Sequence, residues 1–286
     1  VDSGHDREQT YSLGQEIRRG DWIDYVQGVT SVLARTGALV HGFDARIDSD
    51  VPVGSGLSSS AALSVALLRA LRSAFELSLD DLRIATIGQR AENDFVGAPV
   101  GIMDPMVCSL GQEGQALFID TRSLEIEAIP FPPEGALAVI GSGISHGHAE
   151  GEYRVRRDEC ERAAEIHGVV QLRDLGEGDL PRVATLPPPL DRRARHVITE
   201  DARVLAAVTA LRKGDLQGLG ELLDRSHASL RDDYEVSVPE IDLLVELARA
   251  EPSVHGARIT GGGFGGCGAV SWGEAVARRL MRAASR

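Results

Sequence analysis

Residues 51–65 carry Gly54, Ser55, Gly56 and Leu57, followed by three consecutive serines, Ser58, Ser59 and Ser60. Glycine lets a backbone turn tightly and come close to a ligand, and serine hydroxyls join the free N–H groups of a starting helix. With the helix dipole behind it, such a loop is a cradle for an anion, a phosphate above all. It contains no lysine and is neither a Walker A nor a G-x-G-x-x-G pattern, so on its own it equally fits a Gly-Ser turn with a serine cap. Two other features belong beside it. One is a pair of carboxylates, Glu92 and Asp104; the other is the turn after Thr260, where Gly261, Gly262, Gly263, Gly265 and Gly266 surround Phe264. An anion cradle, a carboxylate for a divalent cation and a second carboxylate beside an acceptor hydroxyl are what phosphoryl transfer from ATP requires. Each also has an ordinary alternative. Glu92 could be a solvated charge, Asp104 a turn residue before Pro105, and the glycine run a tight strand connection.

These residues need elements to position them. Leu63, Ala66, Leu67, Ala70 and Leu71 lie at helical spacing directly after the serines. Upstream, Trp22, Tyr25, Val26, Val29 and Leu33 predict a helix over 22–33 that stops at Gly37, and 42–47 alternates like a strand. A helix over 79–93, capped by Ser78, would carry Glu92 at its end, before a turn at 97–101. Pro105 predicts extended geometry for Asp104. Strands are expected at 116–120, 126–129 and 137–142, and helices at 152–167, 200–213, 217–230 and 239–250. The chain closes with a strand at 256–260, the glycine turn, a strand at 267–272 and a helix at 274–284. The proline-rich 180–190 stretch reads as a connection, which predicts two domains, 1–180 and 191–286. Residues 1–20 read as a loose lead-in. The mixture of helices and strands without strict alternation is α+β.

Composition narrows the partners. A formal net charge of −13 argues against nucleic acid and anionic membranes, and leaves a small-molecule ligand as the expectation. Without an apolar run of about 18–20 residues or a signal-peptide core, a monomeric cytoplasmic protein with no membrane partner is expected. Cys108, Cys160 and Cys267 are widely spaced and read as ordinary thiols, and His196 and His227, with no histidine four residues on, read as structural.

Taken together, the motifs resemble those of the galactokinases, within the GHMP small-molecule kinase superfamily, and of their actinobacterial type in particular. The run from Pro52 to Ala62 is similar to the family's second motif, and the run from Gly256 to Cys267 to its third. Between them Gly101-Ile102-Met103-Asp104, Glu152-Tyr153 with Arg156-Arg157 and Cys160, the block from Arg195 to Glu200 and the block from Ser226 to Tyr234 match in order, so the resemblance spans the chain. It implies a two-lobed fold, the N-lobe resembling ribosomal protein S5 domain 2 and the C-lobe ferredoxin-like with extra helices. It implies ATP-dependent phosphorylation of D-galactose at the C1 hydroxyl. Gly54, Ser55, Gly56, Leu57, Ser58, Ser59 and Ser60 would wrap the ATP phosphates, and Ser60 and Glu92 would bind Mg2+. Asp104 would be the catalytic carboxylate at the sugar, and Tyr153 would contact a sugar hydroxyl.

Galactokinases also carry a first strand and motif, with an arginine beside the catalytic carboxylate and acidic residues that grip the sugar. This sequence starts downstream of where that motif belongs. The resemblance therefore implies an incomplete N-lobe, depressed turnover and retained ATP binding. The alternatives are a catalytically impaired nucleotide- or sugar-binding homologue, or another GHMP enzyme such as an N-acetylgalactosamine, mevalonate or homoserine kinase. The Arg195 and Ser226 blocks favour galactokinase over the last two.

Overall fold

The computed structural model of the chain describes residues 8–53, 56–142, 149–264 and 267–273. The chain divides into two compact units, Val1–Glu113 with Leu117–Ala128, and Gly114–Ala116 with Ile129–Arg286.

The first unit is helical. Helix α1 (Ile23–Arg35) turns Val26, Val29 and Leu33 inward against Val65, Leu68 and Leu71 of α2 (Ser59–Ala74) and Ile84 and Ile87 of α3 (Asp81–Arg90). The i, i+3, i+7 spacing of these residues makes the apolar stripe that the core requires. Helix α3 begins later than predicted. Its cap is Asp80, whose side chain accepts from the Arg83 amide at 2.6 Å, because Asp80 stands beside the first helical turn and Ser78 does not. It runs directly into one π-helical turn, Ala91–Val96, and after the 97–101 connection α4 (Met103–Leu110) follows.

Two expectations for this unit change. Residues 42–47 have no strand partner among the described residues and are largely exposed. Residues 9–20 are docked rather than loose. The buried Asp24 carboxylate accepts from the amides of Arg19 (2.9 and 3.0 Å) and Gly20 (2.7 Å). The Gln27 side chain accepts from the Ile17 amide and donates to the Ile17 carbonyl, both at 3.0 Å. Polar groups on the buried face of α1 thus satisfy backbone groups of this segment.

Strands β1 (Gln115–Ile119) and β2 (Ile126–Pro130) pair as a two-stranded sheet. In the second unit, β3 (Gly135–Gly141), β4 (Val254–Thr260) and β5 (Cys267–Gly273) form an antiparallel sheet in the order β3-β5-β4. Helices α5 (Ala149–His167), α6 (Leu180–Val183), α7 (Leu190–Lys213), α8 (Leu216–Asp232) and α9 (Pro239–Arg249) complete it. Val183, Leu186 and Leu190 are buried with Ala163, Ala164, Ala194 and Ile198 in a core inside this unit, while the division falls between residues 113 and 129.

Helix α8 lies directly on β4. A Cβ on Gly220 would stand 2.1 Å from the His255 carbonyl oxygen, and one on Gly256 would stand 2.1 Å from the Gly220 carbonyl oxygen. Only two glycines permit that backbone-on-backbone contact. The predicted helix over 274–284 lies outside the described residues, and no helix among the described residues is long and apolar enough to cross a membrane.

Candidate functional site

In the first unit the site is built where α2 begins. Gly54 and Ser55 lie outside the described residues. Gly56 and Ser58 both take left-handed backbone angles, φ 75° and 58°, on either side of Leu57. For a serine this conformation is unfavourable, and such strain collects at functional turns. Ser58 makes no side-chain cap to the helix it precedes, so its hydroxyl does not occupy the first-turn N–H groups of α2. No acidic residue stands in that turn. Among the described residues, then, this helix start is not a serine-capped turn, and its dipole end fits an anion.

Ser60, in that first turn, lies near enough to Glu92 for its hydroxyl to favour the ionised carboxyl. Glu92 is 2% exposed and sits in the π-turn, where the extra residue lets the Glu92 carbonyl take the amides of both Gly97 (2.8 Å) and Ala98 (3.1 Å). The following turn is pinned by Asn93, whose side chain accepts from the Val100 amide at 2.8 Å and donates to the Val100 carbonyl at 3.2 Å. Burial holds the Glu92 carboxyl above its ordinary range; the Ser60 hydroxyl opposes this, and the nearby Asp104 charge adds to it.

Asp104 is exposed and lies in the first turn of α4, so its backbone is helical rather than extended as predicted. The proline that follows it is tolerated because Pro105 falls in the same first turn, where a missing N–H costs no intrahelical bond. Asp104 also raises the partly buried Cys108 thiol, one turn along the same helix, although burial is the larger cause there. Ser60, Glu92 and Asp104 therefore share one electrostatic neighbourhood. A buried carboxylate disfavoured by burial and by a second carboxylate is relieved by a cation, and a serine hydroxyl supplies a neutral oxygen beside it. That donor set fits Mg2+, which takes few protein oxygens and keeps waters and phosphate for the rest.

The second unit carries the other predicted residues. Tyr153 is 39% exposed on α5. Its Cδ2 lies 4.0 Å from where a Cβ on Gly262 would stand, so Tyr153 and the glycine turn are neighbours. Gly261 and Gly263 have φ of 79° and 88°, while Gly265 and Gly266 lie outside the described residues. His196 and His227 are buried. His196 Nδ1 lies 3.0 Å from the Ser229 hydroxyl and its ring stacks on Tyr234 with centroids 4.4 Å apart. His227 Nδ1 accepts the Ile259 amide at 3.3 Å. Both rings work as internal struts.

Arg192 and Arg193, by contrast, resemble a solvated stripe in the sequence and carried no expectation. In the fold Arg193 is 2% exposed and fully engaged with Glu159, Glu235 and the Asp233 carbonyl. Acidic residues at 233 and 235 were the available signal.

Residues 24–112 match the family described as GHMP kinases N terminal domain, and residues 207–285 match GHMP kinases C terminal. Among solved structures, Lactococcus lactis galactokinase complexed with galactose is 30% identical with a TM-score of 0.85, over 94% of this chain and 71% of that one. L. major mevalonate kinase in complex with R-mevalonate is 22% identical with a TM-score of 0.58, over 90% of this chain and 70% of that one. Streptococcus pneumoniae phosphomevalonate kinase in complex with phosphomevalonate and AMPPNP is 13% identical with a TM-score of 0.61, over 91% and 76%. The last two share the fold.

Proposed function

The chain belongs to the GHMP kinase family of phosphotransferases, and on that premise we propose that it transfers the terminal phosphoryl group of ATP to the C1 hydroxyl of D-galactose. The observation that carries the reading is the buried Glu92 carboxylate in the π-turn, with Ser60 from the first turn of α2 and Asp104 in the same electrostatic neighbourhood. In this reading the first-turn N–H groups of α2 and the 54–60 loop receive the phosphates, and Ser60 and Glu92 hold Mg2+. When bound, Mg2+ neutralises charge on the transferred phosphoryl group.

Asp104 orients the sugar hydroxyl and takes its proton as the new bond to phosphorus forms. Its exposure leaves it within reach of an incoming substrate. Helix α4 fixes its backbone, so its contribution is chiefly one of position. Tyr153, beside the glycine turn, is assigned a contact to a sugar hydroxyl.

Support for galactose over other acceptors is the 30% identity and TM-score of 0.85 to a galactokinase complexed with that sugar, against 22% for the mevalonate kinase. The test is release of ADP from Mg-ATP with D-galactose, mevalonate and homoserine offered in parallel, repeated with Asp104→Ala. Turnover on galactose that the substitution removes supports the reading. Turnover on another acceptor, or on galactose without loss in the variant, overturns the substrate or the base assignment respectively.

A further inference from the structure

The polar cluster in the second unit converges on residues 233–236. Arg193 donates through Nε to Glu159 at 2.7 Å, through Nη1 to the Asp233 carbonyl at 2.6 Å and through Nη2 to Glu235 at 2.6 Å. Arg192 takes the other oxygen of Glu235 at 2.5 Å. From α5, Arg156 reaches the same segment, donating through Nε to the Tyr234 carbonyl at 2.7 Å and through Nη2 to the Glu235 carbonyl at 3.0 Å. A short connection after a helix does not need this many guanidinium groups to satisfy its carbonyls.

Its far side shows what the clamp serves. Glu235 is left-handed, φ 55°, and so is Phe264, φ 59°, neither of them a glycine. The two strained positions are joined, because the Phe264 amide donates to the Val236 carbonyl at 2.7 Å. The adjacent Gly263 comes so close that a Cβ there would stand 2.6 Å from the Val236 Cβ. Non-glycine residues persist in this backbone region only where their surroundings over-determine them. Arg156 supplies part of that determination from both sides: its guanidinium holds the 234–235 carbonyls and its Cζ lies 5.7 Å from the centroid of the Phe264 ring. Tyr153 precedes it by one turn of α5 and lies against Gly262.

We infer that Arg156 is a positioning residue, locking the 261–264 turn onto the 234–236 segment and thereby fixing the surface against which Tyr153 meets the acceptor. The consequence for the acceptor rests on the proposed function; the locking of the turn does not. A planar fork with two divergent donors and a π-face is required, which a lysine cannot reproduce.

The test is Arg156→Lys and Arg156→Met in the full chain, read by hydrogen exchange and by steady-state kinetics. Faster exchange of the peptide containing the Phe264 amide, with α7 and α9 peptides unchanged, is expected in both variants. In kinetics the galactose KM is expected to rise roughly ten-fold or more, the loss of charged hydrogen bonds converted to affinity, with the ATP KM within about two-fold. Unchanged exchange at 261–264 in Arg156→Lys overturns the inference, as does full recovery of the galactose KM by lysine. Should Arg156→Met fail to fold, Arg156→Lys and Phe264→Gly, which relieves the left-handed backbone and removes the ring, decide alone. A wild-type chain that leaves galactose unphosphorylated sinks the proposed function, and the exchange data still decide whether Arg156 locks the turn.

Discussion

Ser60 in the first turn of α2 lies beside the buried Glu92 in the π-turn, so the N-terminal end of one helix and the carboxylate-bearing end of another share one electrostatic neighbourhood. Glu92 is held there at a cost, since burial and the Asp104 charge both push its carboxyl upward. For an acid raised on folding, the ionised form opposes the native state above the folded pKa, and the penalty fades as the pH falls through it.

Replacing Glu92 by glutamine keeps an oxygen for Ser60 and removes the buried charge. The expected outcome is a more stable protein without nucleotide, by about 1 kcal/mol, and a loss of turnover on the order of 10²-fold or more. Thermal melts with and without Mg-ATP check it: the wild type should gain more from Mg-ATP than the variant. A variant that melts lower would show that the carboxylate is there for structure.

Asp104→Asn should separate chemistry from folding. Asp104 is exposed at the start of α4, so the expected change in stability is within about 0.5 kcal/mol, while kcat falls by about 10²-fold or more. Urea unfolding beside single-turnover kinetics measures both. Turnover retained at the wild-type level would remove Asp104 from the mechanism.

Burial lowers the His196 imidazole to about 4, with weaker opposing effects from the surrounding charges. A histidine depressed on folding is neutral in the native state while the unfolded chain takes up a proton, so its contribution is intact above about pH 6.5 and is lost progressively towards pH 4. The loss attributable to this group is up to about 3 kcal/mol at the acid end. Urea midpoints for wild type and His196→Gln at pH 7.5 and 4.5 test it. The variant is expected to be weaker at neutral pH, without the Tyr234 stack, but to lose less on acidification.

Gly220→Ala should cost about 3 kcal/mol or more, because its methyl would meet the His255 carbonyl backbone and neither α8 nor β4 can yield locally. The same change at Gly218, in the first turn of α8, meets only the Asp215 side chain, whose cap to the Gly218 amide would have to yield, and should cost about 1 kcal/mol. A comparison of melting temperatures decides it, and equal losses would mean that α8 is free to lift from β4.

What the sequence made legible was whatever depends on period. The apolar stripes of α1, α2, α5, α8 and α9 are set by side chains that recur along one face, and the elements lie close to where those stripes do. Single-residue geometry was not legible. A period of 3.6 cannot show the extra residue that turns Ala91–Val96 into a π-turn. The rule that disfavours helix before proline loses to the first-turn position of Pro105. Long-range polar pairs were equally hidden: Asp24 and Gln27 look like ordinary helix surface until the partners of residues 17–20 are known. The same holds for Arg192 and Arg193, whose acceptors lie some forty residues away.

The docking of residues 9–20 onto α1 also turns that segment into a clock. Arg18 and Arg19 are exposed, so a trypsin-like protease can read their side chains. The Arg19 and Gly20 amides, however, are bound by the Asp24 carboxylate, and cleavage needs an extended strand that this binding forbids. Cutting must wait for the segment to peel away. Where reclosing outpaces cutting, the rate of limited digestion after Arg19 reports the free energy of local detachment rather than global unfolding. Asp24→Asn, which weakens the grip while leaving the fold's apolar core untouched, should set that clock running faster.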